Sequence, residues 1–235
     1  KPESDLEKQE NLKLLKRVDL REAVDVSVFY GRTAELALLE QWLMKEQCRV
    51  VALLGMGGMG KTSLATKLVR QIEQRFEYVI WRSLYNAPPL FELLGNLIQF
   101  FDNSQVLEAD LPTSVDERIS RLIDYLQKQR CLIILDNAET ILQSGAIAGS
   151  YRQGYEEYGQ LIKRVGELPH RSCLLLTSRE KPKEVASLEG QTVPVRSLRL
   201  SGLEAVDGQK SFKLRGSLVP SQNCKQLLSA MQAMP

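Results

Sequence analysis

Residues Gly55-Met56-Gly57-Gly58-Met59-Gly60-Lys61-Thr62 satisfy the pattern G-x-x-x-x-G-K-[ST] in full. Glycines at this density let a loop turn with successive N–H groups pointing inward, unshielded by Cβ atoms. Placed at the start of a helix, such donors ring a phosphate where the helix dipole also favours an anion. Lys61 adds a point charge for the β- and γ-phosphates, and the Thr62 hydroxyl is a ligand for Mg²⁺. Ser63 completes the set of nucleotide-binding candidates on the loop. The bland alternative is a glycine-rich turn with an exposed lysine. The flanks argue against it, because an apolar strand-like run precedes the loop and an amphipathic helical pattern follows it.

Two more segments fit the same chemistry. "CLIILDNAE" sets Asp136 at the C-terminal end of an apolar run, where ligands of open α/β sheets bind. An aspartate there holds Mg²⁺, often through water. "LLLTSRE" sets Thr177, Ser178 and Arg179 just past another strand end, and Arg179 is placed to reach a γ-phosphate or to sense its absence.

These residues need a scaffold, and the chain supplies the pattern for one. Short apolar runs at 48–55, 77–83, 131–136 and 172–179 read as buried strands, and "VPVRSLRL" (193–200) alternates as an edge strand does. "VSVFYGR" (26–32) is β-like, and Thr33 is a candidate cap for the helix that follows. Helical spacing marks the stretches after Lys61, after Pro88-Pro89 and after Ser114, which forms an S-x-x-E capping box with Glu117. "YEEYGQLIKRVGEL" is also helical, and residues 143–154 read as a loop. Residues 3–24 space Leu6, Leu12, Leu15 and Val18 as an amphipathic helix, and the tail after Ser201 reads as two short helices. Strands alternating with helices predict an α/β fold with a parallel sheet covered on both faces.

Composition excludes rather than identifies. The 235 residues are 43% hydrophobic with a net charge of +2, so no charge excess points to nucleic acid or membrane surfaces. No apolar run is long enough to span a bilayer. The basic string Arg179–Lys183 is short, interrupted by Glu180 and Pro182, and lacks interleaved aromatics, so direct nucleic-acid binding is not expected. Cys48, Cys131, Cys173 and Cys224 form no C-x-x-C pair and read as buried thiols of a reducing cytosol. His170, the single histidine, reads as a surface-loop residue. Lys1 in place of an initiating Met suggests a piece of a longer chain.

In order, "FYGR" ahead of a helix, "GMGGMGKTSLA", "YVIWRSL", "LIILDNAE", "LLLTSRE" and "LRLSGL" resemble the NB-ARC nucleotide-binding domain of STAND-type P-loop signalling ATPases. These are switch modules of apoptosome scaffolds, plant immune receptors and bacterial multidomain regulators. The resemblance covers about residues 25–215, and it looks most like cyanobacterial members that carry C-terminal propeller or helical repeats. It implies a three-layer P-loop fold with a five-stranded parallel sheet of order 2-3-4-1-5. It also implies a connector over 1–24, a nucleotide-binding domain over 25–200 and the start of a helical, ARC1-like module over 201–235. The implied cofactors are ADP or ATP with Mg²⁺. Phe29 and Tyr30 then lie near the adenine, with Arg32 fixing their segment; the other reading makes the two aromatics core anchors only. Family members rest with ADP and open on exchange for ATP. The implied partners are the nucleotide, other domains of the parent chain and a nucleotide-dependent homo-oligomer, in the cytoplasm and without a membrane.

Two departures shape the expectation. Many relatives carry a second acid directly after the Mg²⁺-linked aspartate; here Asn137 stands there, and an amide cannot take a proton from water. Glu139 is the candidate substitute, with its direction open. The sequence also stops at "AMQAMP", before the G-x-P and winged-helix segments of the family, so weaker nucleotide binding is expected of it. The leading reading is a regulatory adenine-nucleotide switch with little turnover. The alternatives are a Mg²⁺-dependent NTP hydrolase with real turnover and a truncated fragment that binds nothing.

Overall fold

The computed structural model describes residues 17–102, 107–143, 145, 149–190 and 194–202. Six strands run β1 (Arg17–Asp19), β2 (Val50–Leu54), β3 (Tyr78–Ser83), β4 (Cys131–Asp136), β5 (Cys173–Ser178) and β6 (Val195–Arg199). All pair in parallel, in the order β1-β3-β4-β5-β2-β6. The helices are α1 (Thr33–Met44), α2 (Lys61–Ile72), α3 (Leu90–Phe101), α4 (Val115–Lys128), α5 (Glu157–Glu167) and α6 (Lys183–Leu188).

Every residue of β2, β4 and β5 is buried, which is why these strands are apolar on both faces. Strand period 2 then divides the core. Ala52, Leu54, Ile80, Ile133, Leu135 and Leu176 face the layer of α3, α4 and α5. Val51, Leu53, Trp81, Ile134 and Leu175 face α1 and α2. The result is the three-layer α/β/α class that the sequence pattern predicts. Set β1 aside and the other five strands, counted in chain order, run 2-3-4-1-5 as expected.

The sixth strand is the main correction. Helical spacing over 3–24 predicts a helix through Val18, yet Arg17–Asp19 is extended and pairs with Tyr78–Ile80. Pairing along the open edge of β3 satisfies backbone groups that a local helix would leave without partners. Val18 is 41% exposed, so the periodicity that it seemed to continue marks no buried face there. Residues 1–16, the rest of that predicted helix, and 203–235, the predicted tail helices, lie outside the described residues.

Smaller differences follow from backbone geometry. Residues 26–32 form no strand, because Gly31 (φ 68°) and Arg32 (φ 58°) both adopt left-handed backbone. Arg32, not Thr33, sits at the start of α1, and no side chain caps that helix. Ser114 does cap α4, accepting from the Glu117 N–H at 3.3 Å. His170 is half-buried rather than a surface residue. Its ring bonds the Val165 carbonyl at 2.9 Å and accepts from the Ser172 N–H at 3.2 Å, and burial lowers its pKa. Cys48, Cys131 and Cys173 are buried free thiols, as predicted, and Cys224 lies outside the described residues. Among the described residues no helix is long and apolar enough to cross a membrane.

Candidate functional site

The loop from Gly55 to Gly60 leaves the C-terminal end of β2 and feeds directly into α2. Its first N–H, at Gly55, donates to the Ser178 carbonyl at the end of β5, 3.2 Å away. Gly58 (φ 79°) and Gly60 (φ 81°) take left-handed backbone with open space around them, so it is conformation that calls for glycine there. A Cβ at Gly57 would stand 3.3 Å from Nη2, the flexible tip of Arg179. At Gly55 a Cβ would stand 3.1 Å from the Leu200 carbonyl oxygen, and the Leu200 N–H donates to the Leu54 carbonyl at 2.7 Å.

Lys61 is buried and turns back over the loop. Its Nζ donates to the Gly55 carbonyl at 2.8 Å and the Met56 carbonyl at 3.2 Å. Burial lowers its pKa, and the charges of Glu139 and Asp136 oppose that while Arg179 adds to it. Four charged side chains from the loop, the ends of β4 and β5 and the turn after β4 therefore act on one another.

The two candidate Mg²⁺ ligands, Thr62 and Asp136, lie side by side. The Thr62 hydroxyl donates to Asp136 Oδ1 at 2.9 Å, joining α2 to the end of β4. Thr177 donates to the same oxygen from β5, and the Asn137 N–H donates to the Thr177 hydroxyl at 3.0 Å. Asp136 is 4% exposed. Burial raises its pKa, and the hydroxyls of Thr177 and Thr62 only partly offset this. A buried carboxylate and an adjacent hydroxyl, both hard oxygen donors, fit the few protein ligands that Mg²⁺ takes. Ser63 follows in the first turn of α2, partly exposed.

The remaining candidates are more scattered. Arg179 is 63% exposed, and its Nε pairs with Glu139 Oε1 at 3.2 Å. Glu139 lies in the short 3-10 turn Ala138–Ile141, which Asn137 enters with left-handed backbone. Arg32 pairs with Glu35 at 2.7 Å and donates to the carbonyls of Met59 and Ser201, so it bridges the phosphate-type loop and the end of the described chain. Phe29 packs against the core layer beneath α1 and α2, whereas Tyr30 is half-buried outside that cluster.

Sequence reasoning placed Thr177 merely past a strand end. The structure puts it inside β5 as a buried partner of Asp136. The signal was the parallel register: Leu135 pairs with Leu176, so the next residues along, Asp136 and Thr177, are level. Thr140 was missed altogether. Its hydroxyl donates to the Leu84 and Asn137 carbonyls and fixes the turn that carries Glu139.

Comparison with known proteins bears on the family and the fold. The NB-ARC domain family matches residues 32–146. A WD repeat-containing protein of Nostoc sp. is 48% identical, over 89% of this chain and 17% of its own length. The disease resistance protein RGA5 of Oryza sativa is 33% identical, over 42% of this chain and 9% of its own. The chain thus spans less than a fifth of these relatives. Among solved structures, the Aeropyrum pernix ORC1 protein in complex with DNA has a TM-score of 0.58 at 21% identity, covering 88% of this chain and 56% of that one. The ADP form of the Aeropyrum pernix ORC2 protein has a TM-score of 0.54 at 19% identity, with coverage of 85% and 56%. At these identities the likeness is one of fold.

Proposed function

We propose, from the premise that residues 32–146 of this chain belong to the NB-ARC domain family, that it is the nucleotide-binding switch of a longer signalling protein, binding ADP and ATP. One observation carries the reading. The glycine loop, buried Lys61 and the Thr62–Asp136 pair converge at the C-terminal edge of the parallel sheet, where such folds bind nucleotides.

In this reading the loop N–H groups and Lys61 hold the phosphates, with Ser63 beside them. Thr62 and Asp136 would hold Mg²⁺, which would supply neutralisation of phosphate charge. Phe29, Tyr30 and Arg32 form the adenine side of the cradle. Arg179 contacts the terminal phosphate. Asn137 gives no base for water, so turnover is slow and the bound nucleotide reports a state rather than feeding a cycle. The WD-repeat relative supports a parent chain with further domains, and those domains, together with nucleotide-dependent self-association in the cytoplasm, are where the switch is read out.

The test begins with the purified chain. It is denatured, any released nucleotide is identified, and Mg·ADP and Mg·ATP are then titrated by calorimetry. Retained or tightly bound ADP, with phosphate release no faster than in a Lys61→Ala control, is the expected result. Steady turnover well above that control would make the chain a hydrolase instead, and absence of both nucleotide and binding heat would overturn the assignment.

A further inference from the structure

The Glu139–Arg179 pair has a geometry that a simple phosphate sensor does not need. Arg179 lies against Gly57 of the loop on one side and pairs with Glu139 Oε1 at 3.2 Å on the other. Glu139 is held in place by its turn. The Thr140 hydroxyl ties the turn to the Leu84 and Asn137 carbonyls, and the Asn137 N–H ties it to Thr177. Glu139 Oε2 is buried, and among the described residues it finds no hydrogen-bond donor. Lys61 feels the charges of both Glu139 and Arg179, so the pair stands within electrostatic reach of the lysine of the glycine loop. Arg179 is therefore the main neutralising partner of a fixed carboxylate at the phosphate side of the loop.

From this geometry we propose that Glu139 sets the preference of the site for diphosphate over triphosphate, by holding Arg179. The proposal rests on the nucleotide reading above. A diphosphate leaves the Arg179–Glu139 pair intact. A third phosphate adds negative charge and draws on the same guanidinium. To serve it, Arg179 must loosen its hold on Glu139, which leaves a partly buried carboxylate without its partner and close to the added charge. The penalty falls on the triphosphate alone. Glu139 is thus a specificity-determining residue, acting through Arg179, and it needs no part in proton transfer.

The experiment titrates Mg·ADP and the Mg²⁺ complex of the non-hydrolysable β,γ-imido analogue of ATP into the 235-residue chain, its Glu139→Gln and Arg179→Ala variants, and the double variant. Glu139→Gln is expected to tighten the analogue about two- to fivefold, the worth of an ion pair with one exposed partner. ADP affinity should stay within about twofold on the same scale. In the Arg179→Ala background the effect of Glu139→Gln should largely vanish, because the coupling runs through the pair. Three outcomes overturn the proposal: an unchanged affinity ratio, weaker analogue binding in Glu139→Gln, or a Glu139→Gln effect undiminished without Arg179. In a companion phosphate-release assay with Mg·ATP, loss of release in Glu139→Gln with an unchanged affinity ratio would overturn the proposal and assign Glu139 to water activation instead. Wild-type chain that binds neither nucleotide would overturn the nucleotide reading itself, an outcome distinct from a ratio that fails to move.

Discussion

Asp19 closes β1, level with Ile80 of β3, and Asp136 closes β4, level with Ser83, with 9% and 4% of their surfaces exposed. Their partners differ. Asp19 accepts from Arg21 Nε and Nη2 and from Arg82 Nη2, all at 2.9 Å. The Arg21 bonds first, and then Arg82, hold its carboxyl well below the usual range against the opposing effect of burial. Asp136 is met by hydroxyls, and burial pushes its carboxyl up. The first acid is balanced inside the protein and fastens an edge strand. The second is met by neutral hydroxyls that only partly offset its burial, an arrangement that the proposed Mg²⁺ would balance.

The sharpest break of this contrast is Lys61→Ala. Among the described residues the Lys61 ammonium bonds only loop carbonyls, so its loss should leave the unfolding midpoint nearly unchanged. Nucleotide affinity should fall by about a hundredfold, roughly 3 kcal/mol, as expected for charged hydrogen bonds to phosphate. Calorimetry beside a urea melt separates the two. Asp19→Ala should do the reverse. It removes the Asp19 partner of Arg82, which keeps its bonds to Asn96 and the Trp81 carbonyl, and should cost about 2 kcal/mol of stability in urea, below the range for a broken fully buried pair. Nucleotide affinity should hold. A third variant, Asp136→Asn, should change ligand-free stability by less than about 1 kcal/mol while abolishing the dependence of the ADP-induced melting shift on Mg²⁺.

Acid titration gives the smallest effect and the cleanest sign. The folded value of Asp19 is depressed, so its stabilisation is complete above the ordinary carboxylate value of about 3.9 and is lost as pH falls through that value toward the folded one. The difference between wild type and Asp19→Asn should therefore shrink on acidification. The folded value of Asp136 is raised, so the folded chain holds that proton more tightly than the unfolded chain does. Wild type should gain on Asp136→Asn as pH falls through the raised value. Urea midpoints across pH 3 to 6 check both, and parallel slopes for the two variants would erase the contrast.

Much of this was legible in sequence, and the reasons are local. Strands β2, β4 and β5 are buried on both faces, so they announce themselves as apolar runs. The loop from Gly55 to Thr62 is a contiguous motif, and Asp136 follows directly from the strand that it ends. What stayed hidden depends on partners distant in sequence. Strand β1 exists because β3 offers an edge some sixty residues later, the spacing between Arg17 and its register partner Tyr78. Thr177 reaches Asp136 through register, and Glu139 finds Arg179 only because a left-handed residue at 137 turns it. Residues 26–32 misled because Val26, Val28 and Phe29 have strand-like side chains on backbone that Gly31 and Arg32 bend away.

The close approach of Gly55 to Leu200 has a mechanical meaning. With Leu200 bonded to Leu54, there is no room for a side chain at Gly55, so the base of the loop and the residue that follows β6 are packed as one unit. Arg32 forms a second strut across the same gap, gripping the carbonyls of Met59 and Ser201. The stretch at Ser201 and Gly202 is thus braced against the glycine loop by direct backbone and side-chain contacts, not joined to it by a free linker.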